Sequence, residues 1–85
     1  MKTFEYTIAD PFGIHARPAG LLVHEAKEYK SKVTVSAADK TCDAASLFGL
    51  MGMGIKCGMP VTVSVEGEDE ELCAGALKQW FKENL

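Results

Sequence analysis

Apolar and polar residues alternate with period two in three separate stretches of the chain. Phe4, Tyr6 and Ile8 interleave with Thr3, Glu5 and Thr7; Val33, Val35 and Ala37 with Lys32, Thr34 and Ser36; Val61, Val63 and Val65 with Thr62, Ser64 and Glu66. A strand of this pattern buries one face and wets the other, as in an antiparallel sheet covered on one side only. A shorter fourth strand is predicted around Lys40 to Ala44, forming a hairpin with the second through the Ala38-Asp39 turn. Elsewhere the period lengthens. From Pro18 to Tyr29, Ala19, Leu22, Val23 and Ala26 fall on one helical stripe. From Asp69 to Asn84, Leu72, Cys73, Ala76, Leu77, Trp80 and Phe81 do the same, and Trp80 and Phe81 read as core. Acids from Glu68 to Glu71 at the start of that helix and Lys78 and Lys82 towards its end suit the helix dipole. Ser46 is placed to cap a short helix running to about Met53, ended by Gly52 and Gly54. The order is therefore β-α-β-β-α-β-α. It predicts an α+β open-faced sandwich, a four-stranded antiparallel sheet with three helices on one face.

The chain has 85 residues, which predicts a single domain over residues 1–85 with a radius of gyration of about 12 Å. At this size there is room for one two-layer core and none for a deep, closed cavity. A composition of 47% hydrophobic and 25% charged residues is that of a globular protein rather than a disordered one. Twelve acidic against nine basic side chains give a net charge of −3, the wrong sign for a general nucleic-acid binder. The longest stretch without polar side chains, Leu47 to Ile55, has nine residues, three of them Gly. That is far short of the roughly 20 needed to cross a bilayer, so no direct membrane insertion is expected. The first residues, Met1-Lys2-Thr3-Phe4-Glu5-Tyr6, lack the apolar run of a secretory leader. Cys42, Cys57 and Cys73 are odd in number and widely spaced, which fits free thiols in a reducing cytoplasm. His24 is read without a Cys, Asp or Glu at ligand spacing to complete a metal site. No metal and no cofactor are expected.

Packing does not account for one segment, Gly13-Ile14-His15-Ala16-Arg17-Pro18, between the first strand and the first helix. Pro is tolerated in a first helical turn, where its missing N–H has no intrahelical partner, so Pro18 predicts a helix start close to Arg17. The residue before Pro is pushed away from α geometry, which predicts His15 to Arg17 at the cap rather than inside the helix. There the backbone N–H groups of Ala16 and Arg17, the positive end of the dipole and a guanidinium converge on one imidazole. That combination suits a phosphate site built around a nucleophile. Gly13 lets the loop turn sharply before it. The plainer alternative is a surface His beside an ordinary helix start.

The run Asp10-Pro11-Phe12-Gly13-Ile14-His15-Ala16-Arg17-Pro18-Ala19 resembles the active-site signature of the HPr family. These are the histidine-containing phosphocarriers of the bacterial phosphoenolpyruvate-dependent sugar phosphotransferase system. A second motif in register, Ser46-Leu47-Phe48-Gly49-Leu50-Met51-Gly52-Met53-Gly54-Ile55, resembles the family's regulatory-serine segment. Element order and spacing match over the whole chain. The resemblance implies an open-faced sandwich of HPr type and a carrier rather than an enzyme. In it, His15 would accept a phosphoryl group at Nδ1 from enzyme I and donate it to a sugar-specific enzyme IIA, with Arg17 pairing to the phosphoryl group. A monomer is expected. The resemblance also implies that Ser46 is the residue modified by an HPr kinase/phosphorylase, after which a catabolite-control repressor binds. Ala45 departs from the Lys often found before that serine.

The surface around the site reads as a docking face. Arg17, Gly20, His24 and Lys27 form an exposed, largely basic stripe along the first helix, suited to an acidic partner. Leu47, Phe48 and Met51 cannot all turn inward together with Leu50 and Met53 from so short a helix, so part of this set is left as a contact patch. The family docks enzyme I and enzyme IIA there. Three other readings stand beside this one. A regulatory member of the family would act mainly through Ser46. An acylphosphatase-like enzyme would share the element order and an Arg at a helix start, but it needs an Asn to position water, and the only Asn is Asn84. An RNA-binding module needs aromatics on the open sheet face, which instead carries Thr, Ser and Glu.

Overall fold

The computed structural model describes residues 1–85. Its elements are β1 (Lys2–Thr7), α1 (Ala16–Lys27), β2 (Lys32–Ala37), β3 (Lys40–Asp43), α2 (Leu47–Gly52), β4 (Pro60–Glu66) and α3 (Glu70–Asn84). The four strands form one antiparallel sheet in the order β1-β4-β2-β3. The first and last strands are therefore neighbours, paired from Lys2 opposite Val65 to Thr7 opposite Pro60. The Cα radius of gyration is 11.3 Å, close to the expected value. No helix is long and apolar enough to cross a membrane.

The period-two alternation becomes the two faces of the sheet. Val33, Val35 and Ala37 of β2 and Val61, Val63 and Val65 of β4 are buried under the helices. Thr34, Ser36, Thr62 and Ser64 on the other face keep partial contact with solvent. There Ser36 Oγ and Thr41 Oγ1 lie 3.2 Å apart, a cross-strand hydrogen bond at the hairpin. The two-residue loop Ala38-Asp39 needs a left-handed residue, and Ala38 supplies it at φ +53, at a cost of about 1 kcal/mol relative to a glycine.

The helical stripes are buried more narrowly than the sequence pattern predicts. In α3 only Cys73, Leu77 and Phe81 are fully covered, one residue per turn. Trp80 and Ala76 are half-buried and Leu72 is 68% exposed, which corrects the reading of Leu72 and Trp80 as part of the buried stripe. The cause is the geometry of contact. α3 packs on β1 and β4 and touches α1 beside it, so residues displaced one position to the side of the 73–77–81 line reach the rim of the contact. At the centre, the Phe81 ring meets Phe4 and Tyr6 edge-on, with centroids 5.6 and 5.7 Å away.

Two loop anchors position the ends of the molecule. Asp69 is the N-cap residue of α3, but its side chain makes no capping bond. Its carboxylate instead accepts hydrogen bonds from Lys30 N–H at 2.9 Å, Ser31 N–H at 2.9 Å and Ser31 Oγ–H at 2.5 Å, tying the α1–β2 turn to the start of α3. At the opposite end, the Leu85 carbonyl accepts from Ala9 N–H at 2.6 Å and Asp10 N–H at 2.7 Å. This brings the close of α3 against the loop that leads into α1.

Candidate functional site

The loop between β1 and α1 is built from its own short bonds. Asp10 Oδ1 accepts from Phe12 N–H at 2.8 Å, and the Asp10 carbonyl accepts from Gly13 N–H at 2.9 Å. Gly13 adopts φ +69, and a Cβ there would collide with the Ile55 carbonyl oxygen and come 2.7 Å from Lys56 Cα. This close approach lets Ile14 N–H reach the Ile55 carbonyl at 3.1 Å, so only a glycine fits at position 13. With Ile14 buried, His15 is delivered to the start of α1.

His15 is the N-cap of α1, in extended geometry at φ −105 and ψ −174, and its side chain makes no capping bond. The helix begins at Ala16, close to Arg17 as expected, but Arg17 stands within the first turn and Pro18 is the third helical residue. This corrects the predicted placement of Ala16 and Arg17 at the cap. The physical reason is that none of the first N–H groups of a helix has an intrahelical partner, so Pro is accommodated throughout that turn. The consequence favours the site. Ala19 N–H closes on the His15 carbonyl at 2.9 Å, Pro18 has no N–H, and the amides of Ala16 and Arg17 carry no hydrogen-bond partner.

His15 and Arg17 share an open depression of about 280 Å³. Asp10 contributes to it from the loop, Leu21 from the next turn of α1, and Glu83 and Asn84 from the end of α3. The imidazole is 41% exposed, with Nε2 facing Asp10 Oδ1 at 3.9 Å. The Phe12 ring, 79% exposed, stands edge-on to it at 5.8 Å between centroids. Arg17 forms no ion pair within the protein. A shallow bowl with a half-exposed imidazole, two unpartnered amides and an unpaired guanidinium can hold a small dianion loosely while leaving it open to a second protein.

The remaining predicted residues lie outside this bowl. Gly20, His24 and Lys27 run along α1, all exposed, although His24 Nε2 is within 3.3 Å of Glu28 Oε1 one turn on. Glu28 is thus a partner at i+4 that the sequence reading did not give His24. No group of three or more metal-ligating side chains converges anywhere in the structure. On α2, Leu47, Phe48 and Met51 are 44%, 94% and 48% exposed, while Leu50 and Met53 turn into the core. Ser46 caps α2, its Oγ accepting from Gly49 N–H at 3.1 Å. α1 and α2 touch. Cys73 is sealed in the core, where burial pushes its thiol up to about 11. Cys42 is half-buried and likewise raised by burial, and Cys57 is exposed.

The sequence analysis gives no site role to Asp10 and Phe12, although both lie in the signature run, nor to Leu21, Glu83 and Asn84. An Asp before Pro at a turn is a recognisable acceptor for the N–H two residues on, and Leu21 falls off the buried stripe of its helix. Nothing local marks Glu83 or Asn84. Asn84, the only Asn of the chain, lines the same depression, with its Nδ2 donating to the Trp80 carbonyl at 2.9 Å.

The family model described as "PTS HPr component phosphorylation site" matches residues 2–83. The chain belongs to the HPr family. It is 44% identical to the phosphocarrier protein HPr of Lysinibacillus sphaericus over 77 residues, covering 91% of this chain and 88% of that protein. It is 38% identical to the phosphocarrier protein HPr of Mycoplasma genitalium over 85 residues, covering 99% and 97%. Among solved structures, the HPr of Thermoanaerobacter tengcongensis superposes with a TM-score of 0.91 at 36% identity, covering 96% of this chain and 92% of that one. The architecture is that of HPr structures: a four-stranded antiparallel open sheet with three helices in β-α-β-β-α-β-α order.

Proposed function

We propose that this protein is a phosphocarrier: it takes a phosphoryl group from enzyme I on His15 and passes it to sugar-specific enzyme IIA domains. Family membership and the phosphocarrier relatives support the system to which it belongs. One observation carries the assignment of the site. A half-exposed imidazole lies in an open depression with Arg17, beside two amide N–H groups that nothing in the protein uses.

The lone pair of His15 Nδ1 attacks the phosphorus of the phosphorylated donor, and the phosphorus–donor bond breaks with its electron pair returning to the donor. Delivery to the acceptor runs the same exchange with the roles reversed. The phosphoryl oxygens carry the charge at each stage, and Arg17 with the Ala16 and Arg17 amides neutralises it. These groups hold the phosphate by charge and hydrogen bonds, which are readily exchanged for those of the next protein. The exposed faces of α1 and α2 serve as the docking surface, with Arg17, Gly20, His24 and Lys27 offering positive charge and Leu47, Phe48 and Met51 an apolar patch. The protein acts as a monomer in this relay.

A second, regulatory use of Ser46 is favoured by its position. Its Oγ accepts a hydrogen bond and keeps its proton free, beside exposed Leu47 and Phe48. Phosphorylation there by an HPr kinase/phosphorylase would add roughly two negative charges to the apolar patch. That would weaken docking to enzyme I and create a surface for a catabolite-control repressor.

Rapid mixing with phosphorylated enzyme I separates the roles of the two surfaces. Arg17→Ala slows phosphoryl transfer by about 100-fold with little change in KM, because its role is at the transferring group. Phe48→Ala raises KM by about tenfold and leaves the transfer step intact, as expected of an aromatic contact. An Arg17→Ala variant that transfers at the wild-type rate contradicts the site.

A further inference from the structure

We infer that Asp10 is a positioning residue for His15, holding the imidazole proton on Nε2 so that the Nδ1 lone pair stays free. Although partly exposed, Asp10 is held at three points. Its N–H donates to the Leu85 carbonyl at 2.7 Å, its carbonyl accepts from Gly13 N–H at 2.9 Å, and its Oδ1 accepts from Phe12 N–H at 2.8 Å. The carboxylate is therefore fixed rather than swinging in solvent, and its Oδ1 faces His15 Nε2 at 3.9 Å. The edge-on Phe12 ring, 5.8 Å away and inclined at 80°, limits how far the imidazole can swing from that alignment.

The two neutral tautomers differ sharply in this setting. With the proton on Nε2, an N–H dipole points at the carboxylate. With the proton on Nδ1, a lone pair points at it instead and is repelled. The hydrogen on one ring nitrogen is set by the partner the nitrogen faces, and the other nitrogen becomes the nucleophile. No side-chain capping bond engages the imidazole from the helix side. At 3.9 Å the contact is an ion-pair distance rather than a formed hydrogen bond, so its effect is a bias and not a lock. Once Nδ1 carries a phosphoryl group and Nε2 keeps its proton, the ring is cationic, and the same carboxylate faces that charge.

The kinetic consequence rests on the phosphocarrier reading; the tautomer preference stands without it. Long-range ¹⁵N correlation spectra of the free protein, taken where the imidazole is neutral, read the tautomer ratio of His15 directly. The wild type shows an excess of the Nε2–H form. D10N removes the charge but keeps the side-chain turn to Phe12, and D10S keeps a turn with a hydroxyl too short to face Nε2. Both reduce the ratio by about three- to fivefold. Single-turnover transfer from phosphorylated enzyme I slows in proportion to the fall in the fraction of the Nε2–H form, a smaller change than that in the ratio, with KM unchanged. A tautomer ratio unmoved in both variants overturns the inference. A shifted ratio with an unchanged transfer rate overturns its catalytic consequence. A wild type that takes no phosphoryl group, with the ratio still shifted by D10N, defeats the phosphocarrier reading and leaves the role of Asp10 standing.

Discussion

Gly13 shows how tightly the loop before His15 is set. Its φ of +69 and the Ile55–Lys56 backbone behind it leave no space for a side chain. Gly13→Ala must push the loop off that segment and break the Ile14 to Ile55 bond, so the expected loss of stability is about 2–3 kcal/mol, read by denaturant unfolding. Because His15 follows two residues later, phosphoryl acceptance slows as well. A variant as stable as the wild type contradicts this account of the loop. That His15 and Arg17 come together was legible in the sequence, because Pro18 marks the helix start beside them, and the structure places both in one depression. Asp10 was half-legible, since its turn is local but its approach to the imidazole is not. Asn84 reaches the site only because Leu85 bonds to Ala9 and Asp10, a contact between opposite ends of the chain that no local pattern encodes.

At the level of elements, alternation identified three strands and helical spacing the two long helices, while the Ala38-Asp39 turn marked β3 and the Ser46 cap marked α2. Their ends and burial depended on neighbours. α1 starts two residues before Pro18 because its whole first turn tolerates a missing N–H. Leu72 shares a stripe with Cys73 but lies beyond the line where α3 meets the sheet. Glu70 and Glu71 of the acidic run stand in the first turn of α3, where they suit the dipole, whereas the Asp69 carboxylate goes to Lys30 and Ser31. The Ser31 hydroxyl and then the Lys30 amide hold the Asp69 carboxyl below its ordinary value. A depressed folded-state value means that the ionised form is favoured by folding. The stabilisation is thus fully present above the unfolded value of about 4 and is lost as pH falls through the lower, folded one. Asp69→Asn lowers the melting temperature at neutral pH and flattens its fall on the acid side. Glu70 is shifted in the same direction, first by its bond to the Met1 ammonium, and is present in both proteins. An acid limb of unchanged slope in Asp69→Asn contradicts the latch.

For the molecule as a whole, alternation could establish a half-covered sheet but not the order β1-β4-β2-β3, because strand pairing is decided by how the two long helices pack over it. That order sets β1 beside β4 beneath α3 and brings the end of α3 against the loop that enters α1. The depression that holds His15 and Arg17 consequently sits at an edge, open to solvent, while the exposed sides of α1 and α2 extend away from it. A carrier needs that division: one atom reachable by two enzymes, and one surface for both to grip. The central claim is that His15 is the atom. Intact-mass spectrometry after incubation with phosphoenolpyruvate and enzyme I, before and after acid treatment, tests it most directly. The wild type should gain one phosphoryl group that acid removes, and His15→Ala should gain none while keeping its fold. An acid-stable gain, or an equal gain by His15→Ala, would place the chemistry elsewhere and contradict the account.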